Sequence, residues 1–227
     1  MKHLTRIFFG VACAVNLAGR IWNPALASAV KPALMPLLAV CVLTYALSHK
    51  VDKRTLSLLI SAELFGCAGD IFLLSSDFIF FAGGIVMFLI GHIFYITNFG
   101  GRSWKGLGWK VWLPAAAVMA ATVAVLIVLL QVRGALMPAM AVYGSALMLL
   151  VFSTLCGLVR FADKGAWAIL FCGAVLFTFS DALIAAETFG VADFALSGFV
   201  VMLTYLAAQT LLAIGTIRLA AGTRNLV

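Results

Sequence analysis

The sequence predicts an all-α fold, a polytopic membrane helix bundle of about eight transmembrane helices making a single integral membrane domain over residues 1–227. Three observations predict it. The composition is 65% hydrophobic and only 10% charged, more apolar surface than a water-soluble domain of this size can enclose. The apolar residues gather into eight runs near the roughly 17–25 residues that a bilayer core requires of a helix. The basic residues lie in the short connections, and their density alternates from one connection to the next.

The first run, Leu4–Arg20, follows Lys2 and Arg6 and ends on a charge. Together with the A-S-A of Ala27–Ala29 this segment resembles a secretory leader. Arg20 directly after the apolar run favours a retained span instead. The second run is Pro32–Ser48, opened by Lys31-Pro32, and the third is Thr55–Ser75, after a charged break. The fourth run is Phe78–Asn98, the fifth Val111–Val132 and the sixth Leu136–Leu158. The seventh and eighth are Gly165–Thr188 and Phe194–Arg218. Gly, Pro, Asn or charged residues mark the breaks, and short connections make consecutive helices antiparallel neighbours.

Of the 15 Lys and Arg, twelve fall on one side: Lys2, Arg6, Lys50, Lys53, Arg54, Arg102, Lys105, Lys110, Arg160, Lys164, Arg218 and Arg224. Arg20, Lys31 and Arg133 fall on the other. That bias predicts cytoplasmic termini and an even number of spans, with a bacterial inner membrane as the expected location. It also accounts for the net charge of +7 as membrane-surface anchoring rather than nucleic-acid binding. The cysteines, Cys13, Cys41, Cys67, Cys156 and Cys172, all fall in apolar stretches without a C-x-x-C pair. They read as small core residues rather than disulfide partners. A weak repeat links the third and seventh runs. Each carries Leu-Phe (Leu64-Phe65, Leu176-Phe177) shortly before Gly69-Asp70 or Ser180-Asp181, which suggests a 4+4 internal duplication.

Asp52, Asp77, Asp163 and Asp193 lie in or beside connections, and Glu187 is near a helix end. Glu63, Asp70 and Asp181 lie inside spans, with no Lys or Arg expected in a span interior to pair with them. A carboxylate there costs at least a few kcal/mol, so such a group faces a cavity or a partner, or holds a proton. A carboxylic acid kept protonated is a candidate general acid. Counting ~1.5 Å per residue, Asp70 and Asp181 lie roughly 8 and 10 Å below the same ends of similarly directed helices, so the two can converge in one cavity. Separate structural roles, each acid bonded to a nearby Ser or Tyr, are the alternative. Glu63 shares a helix face with Asp70 and is expected to pair with His92. On the fourth run His92, Tyr95 and Asn98 share one face. On the eighth Tyr205 and Gln209 are one turn apart, and Tyr143 is a weaker cavity candidate. Only His3 and His49 accompany His92, so no histidine-rich metal site is expected. G-x-S-x-G, H-E-x-x-H and P-loop patterns are absent from the sequence.

Taken in order, these motifs resemble the YhhN-like lysoplasmalogenase family of membrane proteins. The resemblance rests on Lys31-Pro32, Gly69-Asp70 with its I-F-L-L tail, F-L-I-G-H-I-F-Y around His92 and Tyr95, G-A-V-L-F-T-F-S-D-A-L-I-A around Asp181, and T-Y-L-A-A-Q around Tyr205 and Gln209. It runs from about residue 31 to 215, and Glu63 is not part of it. It implies an enzyme that cleaves the vinyl ether of lysoplasmalogens, giving a fatty aldehyde and a glycerophospho-headgroup, without a metal or organic cofactor. The implied partners are a lysophospholipid substrate and the bilayer. Vinyl ethers hydrolyse by proton transfer to carbon through an oxocarbenium ion, as glycosides do. Asp70 and Asp181 are therefore the expected catalytic acids, with His92, Tyr95, Tyr205 and Gln209 orienting them and Glu63 unassigned. Lys31, expected at the outer surface, either holds the lipid phosphate or snorkels to the interface. A transporter or lipid-handling protein using buried acids for proton relay or cation binding is the principal alternative, and a structural membrane subunit the third.

Overall fold

The computed structural model describes residues 2–49, 51–75, 77–134, 136–191 and 194–222. Lys50 and Arg224 of the charge count, and the loop residue Asp193, lie outside the described residues. The elements are α1 (Lys2–Trp22), α2 (Pro24–His49), α3 (Lys53–Phe72), α4 (Phe78–Ser103), α5 (Trp109–Leu129), α6 (Leu136–Arg160), α7 (Lys164–Thr188) and α8 (Ser197–Gly222). Among the described residues all eight are long and apolar enough to cross a bilayer, and the chain is an integral membrane protein.

The large departure from the sequence expectation is the start of α2. It begins at Pro24 rather than Pro32, so only Asn23 separates it from α1. The local chemistry explains this. Asn23 Oδ1 accepts a hydrogen bond from the Leu26 amide at 3.2 Å, an N-cap, and Pro24 takes the first helical position, where a missing N–H is harmless. Pro32 and Pro36 then fall inside the helix. Pro36 has no N–H to offer the Pro32 carbonyl, and Cys67 of α3 supplies a donor instead, its Sγ 3.3 Å from that oxygen. Such substitution is how prolines are tolerated in membrane helices. The A-S-A stretch is thereby inside α2, where Ala27 is fully buried and its carbonyl accepts from Asn16 Nδ2 of α1 at 2.7 Å.

Neighbours in sequence pack against each other within α1–α4 and again within α5–α8, and α4 packs on α6 as α8 packs on α2. This packing agrees with a 4+4 arrangement. α8 is the most enclosed helix, and its Leu212 and Ala208 meet Leu170 and Ala174 of α7 in the core. α5 is peripheral, and among the described residues its main neighbour is α6. At the end of the bundle that carries both termini, basic residues satisfy helix ends. Arg160 donates to the carbonyls of Ser103 and Lys105, and Lys164 to those of Leu158 and Val159. All five cysteines are free, but only Cys156 is buried and Cys172 is exposed, which corrects the expectation that all are core residues. Cys172 sits on the outward face of α7.

Candidate functional site

Asp70, near the end of α3, is 2% exposed. Its Oδ1 lies 3.2 Å from Lys31 Nζ, and its Oδ2 accepts from the Tyr205 hydroxyl at 2.7 Å. The expectation that no cation in a span interior pairs with the acids, and the placement of Lys31 at the surface, are both overturned. The early start of α2 carries Lys31 into the helix, where it is 7% exposed. The polar chain continues inward. Gln209 Nε2 donates to Tyr205 Oη at 3.4 Å, and Tyr95 of α4 donates to Gln209 Oε1 at 2.6 Å. Tyr205 and Gln209 meet because i and i+4 share a helix face.

Asp181 of α7 is 8% exposed and accepts from the Tyr143 hydroxyl of α6 through Oδ2. Lys31 precedes Asp70 by 39 residues, and Tyr143 precedes Asp181 by 38. Each acid is thus held from the helix immediately before it. Tyr143, the weaker cavity candidate, is a direct partner of Asp181. That near-equal spacing is the signal that could have raised its standing.

Asp70 and Asp181 interact electrostatically but share no hydrogen bond. One aromatic cluster links them. Phe177 packs edge-on against Tyr205 at 5.5 Å and against His92 at 4.6 Å, and His92 in turn meets Tyr143 at 5.5 Å. Phe88 joins the cluster beside Tyr205 at 6.1 Å. Gly69 admits it, because a Cβ there would stand 2.7 Å from the Phe88 ring.

The expected bond between Glu63 and His92 does not form. The His92 Nδ1–H donates back to the Phe88 carbonyl at 2.6 Å, which leaves Nε2 as an acceptor. Neither Nε2 nor either Glu63 oxygen has a partner among the described residues, and all three are buried. Asn98 does not join His92 and Tyr95 at the site. It lines a cleft near the terminal end with Arg102 and Asp52.

Three clefts surround the acids. Asp181 and Tyr143 form the polar end of a narrow slot, about 50 Å³, between α5, α6 and α7, whose other walls include Val123, Ile127, Leu147 and Met148. A second crevice of about 30 Å³ places Asp181 and Tyr143 with Phe88, Leu73, Phe81 and Ile184. A vestibule of about 580 Å³ opens at the end opposite the termini and contains Arg20, Lys31 and Glu187. It shares Leu73, Phe81 and Ile184 with the second crevice. Asp70 lines none of the three, and Lys31 stands between it and the vestibule. Arg20 and Glu187 were read from the sequence as ordinary helix-end charges, and a single span carries no sign that they share a cleft. Among the described residues no three His, Cys, Asp or Glu side chains are grouped to hold a metal.

No solved structure matches this chain. The sequence model of the YhhN family matches residues 26–216, a segment containing Lys31, Asp70, Tyr143, Asp181 and the whole Tyr205–Gln209 chain but not Arg20, and the protein belongs to the YhhN family.

Proposed function

We propose that this protein is a lysoplasmalogenase, hydrolysing the vinyl ether of a lysoplasmalogen to a fatty aldehyde and a glycerophospho-headgroup. The observation that carries the reading is the relation of the clefts. A polar vestibule with cations and an apolar slot reaching between helices are joined by the small crevice between them, which shares Leu73, Phe81 and Ile184 with the vestibule and Asp181 and Tyr143 with the slot. A single-chain amphiphile has that shape. Its headgroup occupies the vestibule, and its chain runs into the slot, which α5 can widen because it is peripheral and packs mainly on α6.

The two acids have different surroundings, and these suggest different roles. Asp181 is bonded only by a phenol through Oδ2, and the cleft around it is carbon-lined. It is the proton donor. Asp70 meets an ammonium and a phenol, which favour its carboxylate. The steps balance as follows. Asp181 gives its proton to the outer alkenyl carbon, and the adjacent carbon becomes an oxocarbenium ion. Water adds there, and its proton is relayed to Asp70 through Lys31, whose ammonium gives one proton to Asp70 and takes one from the water side. In the hemiacetal, the carboxylate of Asp181 takes the hydroxyl proton while Asp70 returns its proton, by the same relay, to the departing glyceryl oxygen. Aldehyde and alcohol leave, and both acids are restored. Tyr143 holds Asp181, while Tyr205, Gln209 and Tyr95 hold Asp70 from the other side. Phe88 and Phe177 restrict water to the reacting carbon.

The same reading puts both termini in the cytoplasm and the vestibule on the outer side. Asp181→Asn and Asp70→Asn are each expected to remove aldehyde release from purified protein in detergent, by at least a hundredfold; Asp181→Asn is expected to retain the melting temperature, whereas Asp70→Asn lowers it by stranding the Lys31 ammonium. Wild-type protein releasing no aldehyde without a membrane gradient would instead favour a transporter.

A further inference from the structure

Two charged side chains in the vestibule have no use in the mechanism above. Arg20, in the last turn of α1, has a buried Nε with no partner among the described residues. Glu187, in the last turn of α7, has a buried Oε1 in the same condition. Both line the one cleft and lie close enough to feel each other's charge, yet no salt bridge joins them. Both side chains are half-buried, and leaving an enclosed polar atom of a charged group unbonded is costly. The arrangement therefore fits a ligand carrying both signs of charge.

The cations available narrow the choice. Lys31 also lines the cleft, but its ammonium is committed to Asp70. Arg20 remains, and a guanidinium presents paired donors suited to phosphate oxygens. The cleft is on the face that holds only three of the 15 basic residues, so general attraction to a charged membrane surface does not explain Arg20. The same cleft is lined by Glu187 and by Phe78, Phe81 and Phe189, and an acid in a cleft with aromatic walls suits an ammonium group.

We propose that the vestibule is a headgroup-reading site for zwitterionic phospholipids, with Arg20 taking the phosphate and Glu187 the ammonium. This deepens the lysoplasmalogenase reading and rests on it for its kinetic test. Arg20 and Glu187 are specificity residues, since neither reaches the vinyl ether. Arg20 lies outside the segment matched by the family, so the headgroup site combines a residue of α1 beyond that segment with one of α7 within it.

The experiment compares two lysoplasmalogens, one with a phosphoethanolamine and one with a phosphoglycerol headgroup, presented to purified protein in detergent. Glu187→Gln is expected to raise KM about tenfold for the phosphoethanolamine substrate, to leave kcat within about twofold, and to leave KM for phosphoglycerol unchanged or lower. Arg20→Gln is expected to raise KM for both. Equal KM shifts for the two headgroups in Glu187→Gln, or no shift, would overturn the assignment. Glu187→Asp, which keeps the charge and shortens its reach, is read by the same criterion if the Gln variant does not fold. Binding of the saturated alkyl-ether analogues, which contain no vinyl group, is measured in parallel. If wild-type protein turns over nothing but Glu187→Gln still loses selectivity for the phosphoethanolamine analogue, the headgroup site stands and the hydrolase reading falls. If the analogues bind without headgroup preference, the site itself is lost.

Discussion

At the level of single side chains, the decisive contact is the ion pair between Lys31 and Asp70. Both groups are almost wholly enclosed, and each makes the other tolerable in an apolar interior. Removing one charge strands its partner, an effect of about 3–5 kcal/mol for buried pairs, whereas removing both can be nearly neutral. Lys31→Met is therefore expected to destabilise the protein by about that amount. Combining it with Asp70→Asn is expected to restore most of the loss, because the Tyr205 hydroxyl can still bond the amide. Unfolding the four proteins of this cycle in graded denaturing detergent measures the coupling. A double variant no more stable than Lys31→Met alone would mean that the pair is not what stabilises α2 against α3. The double variant is also expected to be inactive, which separates the fold's need for the pair from the reaction's need for a carboxylate.

Helices approach one another here through small residues and are finished by their caps. Gly157 of α6 lies under the face of Trp167 of α7, so close that an added Cβ would overlap the indole. Trp167 is 1% exposed and packs on Phe99 and Phe161, so it has little room to withdraw. Gly157→Ala is expected to cost about 1–3 kcal/mol, the usual range for overpacking a filled core, and a wild-type melting curve for that variant would contradict the packing described. The start of α3 depends on a cap instead. Asp52 accepts from the Arg54 and Thr55 amides at 3.1 and 2.8 Å. Hydrogen bonding from Thr55, followed by smaller contributions that include the Arg54 amide and charge, lowers its carboxyl below the ordinary value of 3.8. The folded-state value is the depressed one, so the cap's contribution is complete above about pH 4 and fades as pH falls through the lower folded value. Asp52→Ala is expected to reduce the melting temperature at pH 6, and the gap from wild type should narrow toward pH 3. A gap that widened on acidification would reverse the assignment.

Across the bundle as a whole, the site lies where the two four-helix sets meet. Asp70 of the first set is bonded by Tyr205 of the second, and the Tyr95–Gln209 bond joins them again. Neither half holds a complete site. The charge bias predicts its orientation: the proposed cytoplasmic termini would make the vestibule open outward. Cysteine introduced at Arg133 is expected to react with an impermeant maleimide in intact cells, whereas cysteine introduced at Lys105 is expected to react only after permeabilisation. The five native cysteines supply the background to subtract. Labelling of the Lys105 position from outside, with the Arg133 position protected until permeabilisation, would invert the bundle and move the vestibule to the cytoplasmic side.

The number of spans and the family motifs that carry Asp70, Asp181, Tyr205 and Gln209 could be read along the chain. Hydropathy is summed over some twenty consecutive residues and motifs are contiguous, so both are local quantities. The pairing of polar atoms is not local. Tyr205 and Asp70 are 135 positions apart, and each helical residue turns the side-chain direction by about 100°. A small change in where a helix begins or how it rotates therefore changes which groups meet. Starting α2 at Pro24 moved Lys31 from the expected membrane surface to Asp70, and turning His92 toward the Phe88 carbonyl left Glu63 without it. Arg20 and Glu187 look like unremarkable helix ends in sequence, and only the packing of α1 and of α7 on α8 puts them around one cleft. The bilayer's demand for apolar length is written in each segment separately, but satisfaction of the few buried charges depends on all eight helices at once.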